Sequence, residues 1–167
     1  MAILRQREWD QVLQSLKEHR IPPSEIGSTI VKLGKPFDRD RILAAKDVVA
    51  TYLTDENSWA RHEAMWFLGS WGKLAEYQSE FTSALQQDPD IDNRSYAASV
   101  LGSLLHGTNN QAAIEALKQT VSNNQEDELV RKYAYRALLA VSGKDPRSFS
   151  PHDANLSDLN WQWVQSL

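Results

Sequence analysis

One short pattern occurs three times in the chain, and it restricts the fold more than any other feature of the sequence. An arginine is followed three residues later by an alanine and seven residues later by a leucine. The copies begin 33 and then 37 residues apart, and they comprise Arg61, Ala64 and Leu68; Arg94, Ala97 and Leu101; and Arg131, Ala134 and Leu138. Recurrence at a period of about 20 to 50 residues is the signature of a repeat architecture. The chain is therefore predicted to consist of stacked, similar units.

A second apolar stripe precedes each copy of the pattern. Its members recur every three or four residues: Ile42, Ala45, Val49 and Leu53; Leu74, Tyr77, Phe81 and Leu85; and Ile114, Leu117 and Val121. This spacing is typical of amphipathic helices, and no stretch shows the alternation that a strand would need. The prediction is an all-α protein, an α-solenoid of about three to four helical hairpins.

Glycine and proline signals divide the chain into hairpins and a tail. The solenoid is predicted to occupy residues 1–144. Its hairpins are predicted at 3–34 (a degenerate copy), 38–71, 73–105 and 109–143. Residues 145–167 are richer in Ser, Pro, Asp and Asn, yet they contain Trp161 and Trp163. Because the last unit of a stack needs a cover, this tail is predicted to fold back onto it.

The paired helices resemble HEAT repeats, in particular the bacterial HEAT-like repeats also found in phycobilisome lyases. The resemblance covers residues 38–143, or 20–143 if the degenerate copy is included. It rests on the shared Ala and Leu positions and on an Asp six residues before the Arg in the first two copies. It implies an armadillo-like superhelix whose repeats are held at a fixed angle by an Asp–Arg ladder. The expected ladder consists of Asp55, Arg61, Asp88, Arg94 and Arg131. In the third copy Gln125 stands where the Asp is expected, so the ladder is predicted to weaken there or to shift to Asp127.

Composition and motifs argue against several classes of function. Acidic residues number 22 and basic residues 18, for a net charge of -4, so nucleic-acid binding is not expected. The absence of cysteine excludes thiolate chemistry. The phosphate-binding loop, the nucleophile elbow and the zinc-protease motif are all missing from the sequence. We therefore expect a cytoplasmic protein with no enzymatic activity, no cofactor and no membrane partner.

The first copy of the pattern contains a histidine–glutamate pair, His62 and Glu63. His62 and Glu63 resemble a motif of deoxyhypusine hydroxylase, a HEAT-repeat enzyme that holds two irons with several such pairs. Ser95 and Lys132 replace the histidine in the next two copies. Because a metal site usually needs three or more convergent ligands, no metal site is expected here.

The residues one and five positions after each arginine point away from the shared Ala and Leu, at 100° per residue. In HEAT-like stacks this direction faces the concave surface. The predicted partner-binding face, with Trp59 added because it lies near the same direction, comprises Trp59, His62, Trp66, Ser95, Ser99, Lys132 and Arg136. Exposed tryptophans are typical of binding hot spots. The alternative is that the N-terminal helix or the tail covers the tryptophans, or that Trp59 packs into a joint.

The sequence thus predicts a non-catalytic protein–protein interaction module, whether adaptor, assembly factor or immunity-type inhibitor. The resemblance to lyase repeats implies an alternative, a chaperone subunit for a bilin chromophore. Nucleic-acid binding is the less favoured third possibility. The partner's identity and the oligomeric state stay open at this point.

Overall fold

A computed structural model of the chain describes residues 4–35 and 37–167. The described residues form α-helices, 3-10 turns and one π-helix, and they contain no β-strand, so the predicted all-α class is confirmed. The α-helices are α1 Gln6–Lys17, α2 Ile26–Gly34, α3 Arg39–Ala50, α4 Ser58–Met65, α5 Gln78–Gln87, α6 Ile91–Leu104, α7 Gln111–Ser122, α8 Glu128–Val141 and α9 Trp161–Ser166. No described helix combines the length and the apolar character that crossing a membrane requires.

The chain divides into two compact units, Met1–Leu74 and Ala75–Leu167. The first unit contains the hairpins α1–α2 and α3–α4, with α2 packed on α4 and α1 on α3. Trp9 of α1 is buried, and its indole Nε1 donates a hydrogen bond to the Leu33 carbonyl oxygen at 3.0 Å. The degenerate copy predicted at 3–34 lies in this unit, and its first residue, Ile3, is outside the described residues.

The second unit repeats the same arrangement. Its hairpins are α5–α6 and α7–α8, with α6 packed on α8 and α5 on α7. The amides of Gln78 and Asn110 exchange two hydrogen bonds, of 3.2 and 3.3 Å, and so tie α5 to the start of α7. Hairpins stacked with like helices side by side are the α-solenoid arrangement, which confirms the predicted fold class.

The repeated pattern forms the centre of the core. The shared alanines and leucines all have 0% exposure: Ala64, Ala97, Ala134, Leu68, Leu101 and Leu138. Side-chain oxygens of Asp or Asn begin most of the helices by accepting hydrogen bonds from main-chain N–H groups of the first turn, at Asp38, Asn57, Asp90, Asn110 and Asp127. Such caps satisfy N–H groups that the helix itself leaves without a partner.

The pattern's arginines contact the joints that precede their helices. Arg61 is buried, and its Nη1 donates to the carbonyl oxygen of Asp55 at 2.8 Å. Nη1 of Arg94 donates in the same way to the carbonyl oxygen of Asp88, at 2.7 Å. In both copies the acceptor lies six residues before the arginine. The spacing of six residues therefore lets each guanidinium donate to the main chain of the joint.

A carboxylate of the next hairpin completes the environment of Arg94. Glu126 lies 2.8 Å from Nη2 of Arg94, and both side chains are largely buried. Asp127, to which the ladder was predicted to shift, caps the start of α8. Arg131 donates from Nε to the carbonyl oxygen of Val121 at 2.9 Å. Whether these contacts set the angle between repeats stays a prediction.

The tail, residues 145–167, packs on α8. Trp163 meets the ring of Tyr135 edge to face, with ring centroids 5.8 Å apart. The guanidinium of Arg131 lies over the Trp161 ring, and its Cζ is 5.7 Å from the ring centroid. The two tail tryptophans thus contact residues of α8.

Candidate protein-binding surface

Large apolar side chains are exposed at a few described positions. The exposed fractions are 56% for Phe37, 44% for Trp59, 43% for Ile91, 41% for Leu43 and 37% for Trp66. Three of these five side chains are aromatic, and all three belong to the first unit. Isolated exposed apolar residues are ordinary, whereas a contiguous group marks an interaction surface.

Four rings of the first unit form such a contiguous group. His62 lies 5.9 Å from Trp66 between ring centroids, and Trp66 lies 6.3 Å from Trp71 in an edge-to-face pair. Trp71 in turn meets Phe37 edge to face at 4.9 Å. We call these four residues, Phe37, His62, Trp66 and Trp71, the aromatic patch. Each ring distance is within the range of favourable aromatic pairs.

A π-helix brings two members of the patch together. After α4 the chain widens into a π-helix over Trp66–Trp71, and the Gly72 N–H donates to the carbonyl oxygen of Phe67, five residues back, at 2.8 Å. Residues five apart are neighbours along one side of such a helix, whereas an α-helix separates them by about 140°. The winding therefore places Trp71 beside Trp66. The sequence pattern does not indicate Trp71, because α-helical geometry would separate it from Trp66 by about 140°.

Two glycines of α2 give the tryptophans room. A Cβ at Gly34 would overlap the ring of Trp71. A Cβ at Gly27 would lie 2.7 Å from Cδ2 of Trp59. The Trp59 ring therefore rests on α2, although it keeps 44% of its surface exposed and donates from Nε1 to Glu63 at 3.0 Å. Trp59 both packs within its unit and presents an exposed edge.

Phe37 has an unusual backbone. Its φ is 68°, in the left-handed region that bulky residues rarely adopt. Its N–H donates to the carbonyl oxygen of Gly34 at 2.6 Å, which closes a tight turn after α2. This turn directs the Phe37 ring onto Trp71. Strained residues of this kind cluster at functional sites.

Two of the residues predicted for the binding face in the second unit are placed differently. Ser95 is only 5% exposed, so the expectation that it faces solvent is wrong. The reason is that α6 packs against both α5 and α8, and so buries more than one stripe. The Lys132 side chain is 11% exposed, pairs with Glu128 at 3.3 Å and donates to the tail carbonyl of Ala154 at 3.2 Å. It is therefore no exposed rim residue, because the tail covers it.

The other two predicted residues of this unit, Ser99 and Arg136, line a groove between α6 and α8. Their role in binding stays a prediction, as does that of Trp59, His62 and Trp66. Among the residues that the structure describes, no three His, Asp or Glu side chains converge to hold a metal ion. His62 contacts the Trp66 ring.

Comparison with known proteins identifies the repeat. A model of the family described as HEAT repeats matches residues 78–151, which span α5 to α8 and the first residues of the tail. A search of curated proteins gives no match to the chain. The matched residues contain two of the three copies of the pattern, in the stacked hairpins of the second unit. Residues 78–151 therefore form HEAT repeats, as the resemblance of the paired helices implied.

Proposed function

We propose that this HEAT-repeat protein is a non-catalytic interaction module that binds a partner protein through the aromatic patch. HEAT repeats commonly mediate protein–protein interactions. The observation that carries the proposal is the contiguity of the patch, in which Trp66, Trp71 and Phe37 contact one another in series. Aromatic rings gathered on a surface gain most when a partner's apolar side chain covers them.

The geometry of the patch supports recognition without turnover. The Trp71 ring packs against Gly34 of α2, and the positive φ of Phe37 places the Phe37 ring against Trp71. A surface ordered before binding loses little side-chain entropy when the partner arrives. Adaptor, assembly factor and immunity-type inhibitor differ in the partner that they bind, and all three use a preformed surface of this kind.

Phe37→Gly is the sharpest variant for testing the patch. It removes the most exposed ring, and glycine adopts the positive φ of this position without strain, so the fold should be kept or slightly stabilised. Loss of a hot-spot ring weakens binding by about 2 kcal/mol, or about thirtyfold in Kd. The matched control is Leu43→Ala, which removes a similarly exposed apolar side chain of α3 outside the patch.

The experiment begins with affinity capture from the source cells, using the parent, Phe37→Gly and Leu43→Ala as baits. Each captured protein is then purified and titrated calorimetrically against the three baits. The proposal expects a stoichiometric complex with the parent and with Leu43→Ala, and a Kd about thirtyfold higher with Phe37→Gly. Equal Kd values for all three baits would show that the patch is not the binding surface. A free bilin serves as the control ligand, and no induced absorbance change is expected with it.

A further inference from the structure

The groove between α6 and α8 in the second unit has a volume of about 410 Å³. Its floor is made of small residues, Gly102, Ala137 and Ala140, and Pro146 lies at its border. The helices approach closely at this floor, because a Cβ on Gly102 would lie 2.8 Å from the Cα of Ala137. A floor without long side chains lets an extended main chain approach the helices.

The charge of the groove is opposite to that of the whole chain. Arg136 and His106 line it, and no Asp or Glu is among its lining residues, although the chain carries a net charge of -4. The Asp145 carboxylate interacts electrostatically with His106, and Arg147 binds this carboxylate with Nε 3.0 Å from Oδ1. These hydrogen bonds from Arg147 hold the pKa of the Asp145 carboxyl below its usual range. The lining therefore presents the positive charge of Arg136 with no carboxylate beside it.

Arg136 differs from the arginines of the repeated pattern. Arg61 and Arg94 each donate to a carbonyl oxygen of a joint, and Arg131 donates to the carbonyl oxygen of Val121 near the end of α7. For the guanidinium of Arg136, no hydrogen bond or ion pair is found within the described part of the chain. Its fork of N–H donors matches a carboxylate. Tyr133 and Ser99 also line the groove. The Tyr133 hydroxyl pairs with Nε2 of His152 at 2.8 Å, and the Ser99 hydroxyl donates to the carbonyl oxygen of Ser95 at 3.2 Å, so Arg136 is the side chain left to pair with a ligand.

We propose that this groove binds an extended acidic segment of a partner protein, with an Asp or Glu carboxylate of that segment paired to Arg136. The segment's main chain lies over the floor formed by Gly102, Ala137 and Ala140. A nucleic-acid strand is a poorer fit, because neutralising successive phosphates needs a row of cations and the groove offers one arginine and one histidine. The inference rests on the proposed function in taking the chain as a protein-binding module, but it concerns a different surface from the aromatic patch.

The test uses the full chain, labelled with 15N, and four defined probes at low salt. The probes are short capped peptides of alternating Ala and Glu, Ala and Gln, or Ala and Lys, and a short oligothymidylate. The proposal expects saturable binding of the Ala–Glu peptide alone, with amide shifts concentrated in α6 and α8. Arg136→Gln should weaken this binding about tenfold, and added salt should weaken it further.

Two variants complete the design. Arg7→Gln makes the same change in net charge at an exposed position of α1, so it should bind the Ala–Glu peptide as the parent does. Ser103→Phe places a ring at an exposed position of the groove wall and should block binding without entering the core. If Arg136→Gln and Arg7→Gln bind the peptide equally, the pairing with Arg136 is refuted.

The remaining outcomes are equally decisive. Equal binding of the Ala–Gln or Ala–Lys peptide would refute charge recognition, and oligothymidylate binding at the same amides would identify the groove as a phosphate site. The Phe37→Gly variant separates this inference from the proposed function. It should bind the Ala–Glu peptide normally, because Phe37 belongs to the aromatic patch of the other unit. If the parent binds the Ala–Glu peptide and Phe37→Gly binds the cellular partner as tightly as the parent does, the aromatic patch is refuted as the binding surface. The inference about the groove would then still hold.

Discussion

Gly102→Ala tests the close approach of α6 and α8. Within a solvated helix this substitution stabilises by about 1 kcal/mol, because alanine has the higher helix propensity. At this position the new Cβ would lie 2.8 Å from the Cα of Ala137 and 2.9 Å from its Cβ. Carbon atoms in favourable contact are about 3.5 to 4.0 Å apart. The two helices must therefore separate by roughly 0.7 Å or more to accept one methyl group.

The separation is costly because the obstacle cannot rotate away. The closest contact is a backbone atom of α8, and the neighbouring Leu101 and Leu138 have 0% exposure, so they have no free space to move into. Overpacking of a well-filled core costs about 1 to 3 kcal/mol, and sometimes more. After the gain in propensity of about 1 kcal/mol, we expect a net loss of up to about 2 kcal/mol. For a chain of this size a loss of about 2 kcal/mol corresponds to a fall in Tm of roughly 4 to 8 °C.

Urea denaturation followed by far-UV circular dichroism, with calorimetry for Tm, measures the effect. Ser103→Ala is the matched control, because it raises helix propensity at the next residue, which is exposed. We expect the control to unfold at or slightly above the parental midpoint and Gly102→Ala below it. A Gly102→Ala variant as stable as the control would show that α6 and α8 are not in close contact at this crossing. It would also contradict the description of the groove floor as formed by small residues at a close helix approach.

Two further substitutions test the charged and ionisable groups of the interior. Arg94→Ala should lower the free energy of unfolding by about 2 kcal/mol, because it leaves the 12%-exposed carboxylate of Glu126 without its cation. The comparison variant, Arg136→Ala, should change the free energy of unfolding little. Equal urea midpoints for the two variants would contradict the structural role of Arg94. Burial, with a smaller contribution from the charge of Asp55, raises the pKa of Tyr52 above its ordinary value of about 10. Below pH 10 both the folded and the unfolded states keep this phenol neutral; as pH rises above about 10 the unfolded state loses the proton first, so stability falls. Tyr52→Phe should abolish that part of the alkaline loss, measured as the free energy of unfolding against pH, and identical alkaline slopes for variant and parent would show that the folded protein does not resist ionisation there.

The core of the repeat was predictable because one geometric rule governs it. Spacings of three, four and seven residues return to the same side of an α-helix, so Ala97 and Leu101 had to face the same neighbours once the segment was helical. The same rule misplaced Ser95. It assigns a helix one buried side, whereas α6 is flanked by α5 and α8 and also buries the side that carries Ser95. The number of neighbours of a helix is a tertiary property, and a single repeat does not reveal it.

The partner of Arg94 could not be read from the sequence for a different reason. Glu126 follows it by 32 residues and lies in the irregular joint before α8. Helical periodicity predicts which side chains share a face, but it says nothing about where a loop residue points. The resemblance to HEAT repeats directed attention to Asp127, which instead caps α8. Both carboxylates are used, and only the three-dimensional course of the joint decides which one meets the arginine.

The aromatic patch exists because the helix changes its winding partway along. The α-helix ends at Met65, and Leu68, in the first part of the π-helix, is still fully buried like the leucines of the other copies of the pattern. If the same winding continued, Trp71 would lie about 140° around the helix from Trp66. The π-helix instead sets Trp71 beside Trp66, within reach of Phe37. One segment thereby meets two requirements, a buried leucine for the stack and adjacent surface rings for recognition, and no pattern of constant period could have expressed both.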